Sequence, residues 1–137
     1  MSMVLRDIPK LIDEPTSGLD PVSANSIHNI ISEMNKNGTT VFMTTHNMSE
    51  ASKLCDNIAL LDGGKIIEYG TPDNICFKYN KNKQVKVIFK NKTEIISLEN
   101  LSEYLSKQKD KSHIEAIHSL EPNLEDVFIQ LTGKRLV

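Results

Sequence analysis

The chain has 137 residues, a formal net charge of −2 and 25% charged residues. That length allows one domain or two small ones, and the near balance of charge argues against nucleic acid as a main partner. No apolar run approaches the roughly 18–20 residues that span a bilayer, the start MSMVLRDIPK carries no signal-peptide stretch, and Cys55 and Cys76 lack metal-ligand spacing, so a soluble chain of a reducing cytosol is expected.

Leu11-Ile12 marks a short apolar strand that ends at Asp13-Glu14. A Gly/Pro-punctuated loop leads to a helix, for which Asp20 suits the N-cap and Pro21 the first position, where a missing N–H costs nothing. Ile27, Ile30, Ile31 and Met34 recur at helical spacing and predict one inward face, and Asn37-Gly38 stops the helix. TTVFMTT, from Thr39 to Thr45, reads as a buried strand rich in β-branched residues, with His46 at its end. Asn47 caps a second helix, with Glu50 three residues on in the capping-box position and Met48, Ala51, Leu54 and Cys55 as its apolar face. IALLDGGKIIEY reads as a hairpin turning at Asp62-Gly63-Gly64, and a short helix follows from Pro72. Apolar strands alternating with helices predict an α/β fold with a parallel sheet.

The last third has a different character. KYNKNK, residues 78–83, is a polar linker. QVKVIFKNKTEIISL reads as a hairpin turning at Asn91-Lys92, followed by a helix around 101–109 and a strand over 113–120. Asn123 caps a closing helix with Leu124, Val127, Phe128 and Leu131 at i, i+3, i+4 and i+7, stopped near Gly133. The expected division is therefore an α/β unit over residues 1–80 and a small α+β unit, ββαβα, over 84–137, with the second folding independently and carrying no chemistry of its own.

Two adjacent carboxylates at a strand end are most often a surface turn. The sharper alternative is that Asp13 orients a magnesium ion through water while Glu14 polarises an attacking water, two tasks that phosphoryl transfer needs within a few ångströms of each other. Ligands of open α/β sheets lie at the carboxyl ends of the strands. A histidine after a strand is usually a polar cap. His46, however, ends the strand that should pair with the Asp13 strand, since consecutive strands often neighbour each other; a neutral imidazole there can donate to a phosphate oxygen. Asp20 also reads as a helix cap, and Ser17 and Gly18 as turn residues. His28, His113 and His118 show no constellation.

The order and spacing of these residues resemble the carboxyl-terminal half of an ABC transporter ATP-binding subunit. LIDEP resembles the end of its Walker B strand, with Asp13 in the magnesium position and Glu14 in that of the catalytic base. SGLDP, Ser17 to Pro21, resembles the D-loop, which in that family lies across an ATP-sandwiched dimer interface, so Ser17 and Asp20 are implied in coupling the two sites. TTHNMSEASKLCDNIALLDGGKIIEYGTP resembles the switch-histidine segment, with His46 as the switch histidine. PNLEDVFIQLTGK is similar to the accessory domain of ATPases paired with type-2 exporter permeases. The resemblance implies a partial P-loop NTPase-like sheet, ATP and Mg2+ in the intact protein, a membrane permease and a second ATP-binding subunit as partners, no nucleic acid, and a cytoplasmic place at the inner face of the membrane. No Walker A loop, LSGGQ-type signature or glutamine loop is found in the chain. The Asp13 strand is also short, with Pro9 unable to donate in a ladder. The chain alone is therefore expected to be inactive, with the other half of the site outside it. Two rival classes stay open: a truncated, non-catalytic module that pairs with a full ATPase, and an ABC ATPase that works without a permease in DNA repair or translation. The LEDVF tail and the lack of a basic surface count against the second.

Overall fold

The computed structural model describes residues 9–134. Residues 1–8 and 135–137 lie outside it, and with them most of the MSMVLRDIPK stretch and the outer ends of both expected units. The first strand, β1 (Lys10–Asp13), leads through a turn into α1 (Pro21–Lys36) and returns as β2 (Val41–Thr44). The two strands pair in parallel, with Asp13 opposite Thr44. Asp20 caps α1 as the sequence predicts: its carboxylate accepts from the N–H groups of Val22 and Ser23, both at 3.0 Å.

α2 (Met48–Leu54) follows β2, then the antiparallel hairpin β3 (Ile58–Asp62) and β4 (Lys65–Gly70), then α3 (Pro72–Lys78). Gly63 and Gly64 at the hairpin tip have φ of 56° and 75°, the left-handed pair that a two-residue turn between twisted strands needs. The second unit comprises β5 (Gln84–Phe89), β6 (Thr93–Ser97), α4 (Leu101–Ser106) and β7 (Ile114–Ser119), its strands antiparallel in the order β6-β5-β7, and it closes with α5 (Leu124–Thr132). α5 is held by a reciprocal capping box: the Asp126 N–H donates to the Asn123 side chain at 2.8 Å, and the Asn123 N–H donates to the Asp126 carboxylate at 3.0 Å. Gly133 ends it at φ 71°.

The α/β class holds, with three qualifications. The parallel part is a single pair of strands, and the β3–β4 hairpin forms a sheet of its own. The strand expected to be buried, β2, leaves Phe42 63% exposed, and Leu11 beside it on β1 is 75% exposed, because nothing in the described residues covers that face. On α1 the expected inward stripe narrows to Ile31, with Ile27 and Met34 half-buried and Ile30 exposed.

The core lies elsewhere. Ala51 of α2, Ile58 and Leu60 of β3 and Ile75 of α3 form one cluster with Leu124, Val127 and Phe128 of α5. The closing helix of the second unit thus returns to complete the core of the first. Lys134 adds an ion pair at 2.8 Å to Asp62 at the end of β3. Val85, Val87 and Phe89 form the buried face of the three-stranded sheet.

Candidate functional site

β1 and β2 end side by side, and their carboxyl ends bring three of the predicted residues together. Asp13 is the last residue of β1, and its carboxylate accepts a short hydrogen bond from the Thr44 hydroxyl across the pair. Glu14 follows at φ 46°, the one non-glycine with positive φ among the described residues. That conformation is costly for a glutamate. Hydrogen bonds hold it: the Glu14 N–H donates to the Thr44 carbonyl at 2.8 Å, and the Ser17 N–H donates to the Glu14 carbonyl at 3.2 Å. Oε1 of Glu14 lies 3.5 Å from Nε2 of His46. This separation is a contact rather than a formed hydrogen bond. His46 is 77% exposed, so its ring is open to a ligand.

The other two predicted residues lie beside this group and not within it. Ser17 is exposed on the turn after Glu14. The Leu19 N–H donates to the Thr16 carbonyl at 3.1 Å across Ser17 and Gly18, and Gly18 takes φ 76° there. Asp20 is occupied in capping α1, and the Ser23 hydroxyl at 2.6 Å, with the Ser23 N–H, holds its carboxyl below its usual range.

The structure also assembles a group that the sequence did not reveal. Glu50, placed by the sequence in a capping box, is the buried charged side chain among the described residues, 3% exposed. Its N–H bonds to the Asn47 side chain at 3.1 Å, but its carboxylate does not return to the Asn47 N–H, which donates instead to the Thr45 hydroxyl at 3.0 Å. The carboxylate turns inward. Oε1 accepts from the Thr16 hydroxyl at 2.6 Å and meets Nε2 of His28 at 2.9 Å, while Oε2 accepts from the Thr45 hydroxyl at 2.6 Å. Burial pushes the Glu50 carboxyl up, and the hydrogen bonds from Thr16, Thr45 and His28 outweigh it, leaving the group below its ordinary value. An ionised carboxylate only accepts, so Nε2 of His28 carries the proton in this contact. His28, which showed no constellation in the sequence, is therefore a partner of Glu50.

Among the described residues no group of three or more His, Cys, Asp or Glu side chains is placed to cage a metal. A single carboxylate at a strand end is instead the hard-oxygen donor typical of magnesium that keeps most of its waters and shares phosphate oxygens, and Asp13 fits that role. Among the described residues, no helix is long and apolar enough to cross a membrane.

Residues 1–52 match a family model described as "AAA domain, putative AbiEii toxin, Type IV TA system". The fluoroquinolones export ATP-binding protein of Mycobacterium tuberculosis is 35% identical over 132 residues, which is 91% of this chain and 44% of that protein. The linearmycin resistance ATP-binding protein of Bacillus subtilis is 31% identical over 155 residues, 92% of this chain and 50% of that one. Nod factor export ATP-binding protein I of Rhizobium etli is 29% identical over 157 residues, 99% of this chain and 49% of that one. A solved structure of an ATP binding subunit of an ABC transporter superposes with a TM-score of 0.47 at 30% identity, over 52% of this chain and 30% of that one. Over about nine-tenths of its length the chain is similar to ABC transporter ATP-binding proteins. It spans about half the length of the curated relatives it matches.

Proposed function

We propose that this chain supplies the carboxyl-terminal share of the ATP-binding subunit of an ABC exporter, a subunit that hydrolyses ATP to drive a membrane permease. The observation that carries the proposal is the approach of Glu14 to His46 at 3.5 Å where two parallel strands end together. Glu14 is the general base, taking a proton from the water that attacks the γ-phosphate. His46, on the neighbouring strand end, donates to a γ-phosphate oxygen as charge builds there. Asp13, steadied by the Thr44 hydroxyl, is the residue that would hold magnesium. Magnesium, when bound, neutralises charge on the phosphate oxygens.

Ser17 and Asp20, exposed beside the pair, meet a second ATP-binding subunit across a dimer interface. Residues 84–137 form an accessory unit, and the whole subunit sits at the cytoplasmic face of the membrane against the permease. The relatives, which are named for the export of fluoroquinolones and Nod factor and for linearmycin resistance, support an exporter. Alone, the chain neither binds ATP tightly nor hydrolyses it, since phosphate affinity in such sites comes from a glycine-rich loop, a helix N-terminus and a lysine.

The test is Glu14→Gln in the full subunit. This variant keeps the shape and removes the base, so hydrolysis falls by roughly two to four orders of magnitude while ATP still binds. Activity within a few-fold of the parent would take Glu14 out of the mechanism. A second reading, a non-catalytic module that pairs with a complete ATPase, is favoured by the uncovered apolar face at Leu11 and Phe42. Persistent binding of the purified chain to a full ATP-binding subunit, with no hydrolysis traceable to Glu14, would select it.

A further inference from the structure

We infer that Glu50 is a positioning residue that clasps the turn carrying Glu14 to the strand end carrying His46. The inference rests on the reading of Glu14 and His46 as the reacting pair.

Glu50 touches neither of them. Its two oxygens reach one neighbour of each: Oε1 holds Thr16, two residues after Glu14, and Oε2 holds Thr45, the residue before His46. Oε1 also holds His28 on α1, so the loops after β1 and β2 and the helix between the strands meet on a single carboxylate. The base of the clasp is firm, because the next residue, Ala51, is part of the cluster sealed by α5.

Two simpler roles for Glu50 are inadequate. A helix cap would leave the carboxylate outward on the Asn47 N–H, as Asp126 does on Asn123, and Glu50 does not do this. Stability alone is a poor reason for the group, since well-packed apolar side chains usually serve a buried position at least as well as a charge. The particular property of a carboxylate is that it accepts several hydrogen bonds at once; an amide presents one acceptor oxygen and a hydroxyl competes as a donor. Three donors converging from three segments call for that property. The other ties near the site lie at the strand ends: the Thr44–Asp13 bond and the Glu14 N–H bond to the Thr44 carbonyl join the strands, but neither reaches beyond Thr44 to the His46 loop, and the Glu14–His46 approach is too long to hold the loops by itself.

The experiment uses the chain as it stands. Thr16→Val and Thr45→Val keep the shape and remove one arm of the clasp each, the second together with the acceptor of the Asn47 N–H; Thr16→Ser and Thr45→Ser keep the hydroxyl and drop a methyl. Two NMR measurements are made: the nuclear Overhauser contact between the His46 ring and the Glu14 side chain, and exchange of the Ser17 and Leu19 amides, whose bonds form the Glu14 turn. The amides of Phe89 and Leu120, bonded to Lys92 and Gln84 in the three-stranded sheet, serve as references.

Either valine variant should abolish or greatly weaken the Glu14–His46 contact. Exchange at Ser17 and Leu19 should rise about tenfold, the scale of one net hydrogen bond, with the references unchanged. The serine variants should match the parent. Valine variants that keep both signals would overturn the inference, as would a parent that lacks the contact. Serine variants as damaged as valine would assign the threonines to packing, and uniform loss of protection including the references would assign Glu50 to global stability; either result rejects the clasp. None of these outcomes depends on ATP turnover, so hydrolysis unaffected by Glu14→Gln would remove the proposed function while leaving the clasp measured.

Discussion

The parallel pair β1–β2 and the cluster closed by α5 divide the work of this molecule. The pair carries Asp13, Glu14 and the approach to His46, yet leaves Leu11 and Phe42 in solvent. The cluster carries no reacting group and buries Leu124 and Val127 almost completely. The candidate site sits on a poorly covered pair of strands, and stability on a helix contributed from a distant part of the sequence. Packing therefore does not hold the site in shape. Hydrogen bonds do, and they run through α2, the element that the two regions share.

The most severe way to test this division is to remove α5. Leu124, Val127 and Phe128 each contribute roughly 1.5–3 kcal/mol on burial, a large share of the ~5–15 kcal/mol that holds a domain. A chain ending before Leu124 is expected to lose its cooperative thermal transition in circular dichroism, although every candidate site residue is still present. An unchanged midpoint would show that the first unit needs no cover from the second.

A matched substitution sharpens the contrast. Phe128→Ala should cost about 3–5 kcal/mol in urea unfolding, because it opens a cavity in the sealed cluster. Phe42→Ala removes the same atoms from an exposed position and should cost less than about 1 kcal/mol. Equal losses would mean that β2 is covered in solution, by a second molecule or another segment.

The smallest expected effect is on the acid limb of stability. Glu68 on β4 is held at about 2 by the Lys78 ammonium at 2.8 Å, the Tyr79 hydroxyl at 2.6 Å and the Tyr69 N–H at 3.1 Å. Its folded pKa lies below the unfolded one. The stability it contributes is therefore complete above the ordinary glutamate range near 4.5 and is lost as pH falls toward about 2. Glu68→Gln should flatten that limb of a melting-temperature profile and leave the region above pH 6 unchanged. A profile that keeps its full acid slope would assign the slope to other carboxylates, of which Glu50, also held low, is the first to examine.

The features legible in the sequence were local. Asp20 with Pro21, Gly63 with Gly64, and the cap Asn123 each carry their structural cause within four residues, and the start of α1, the hairpin and the start of α5 all follow from them. The proximity of Glu14 and His46 needed one further step, the pairing of consecutive strands. Two kinds of feature were not legible. Burial failed at Phe42 and Ile30, because composition shows that a residue is apolar but not whether anything lies against it. The Glu50 network failed because its partners come from 34, 22 and 5 residues away. A capping-box spacing gave the local explanation for Glu50, whereas the box that forms lies at Asn123 and Asp126. A glutamate near a histidine and two threonines carries no periodic signal; only the fold brings them together.

The return of α5 to the first core also has a consequence in time. A ribosome adds ~5–20 residues per second, and a β-hairpin closes in about 1–10 μs. Strands β3 and β4 can pair almost as soon as they emerge. The helix that covers them arrives about 70 residues later, since Ile58 and Phe128 share one cluster, a delay on the order of 4–14 s. Through that interval the nascent chain presents Ile58, Leu60 and Ile75 without their lid, and its exposure to chaperones and proteases is set by the rate at which its last third is made.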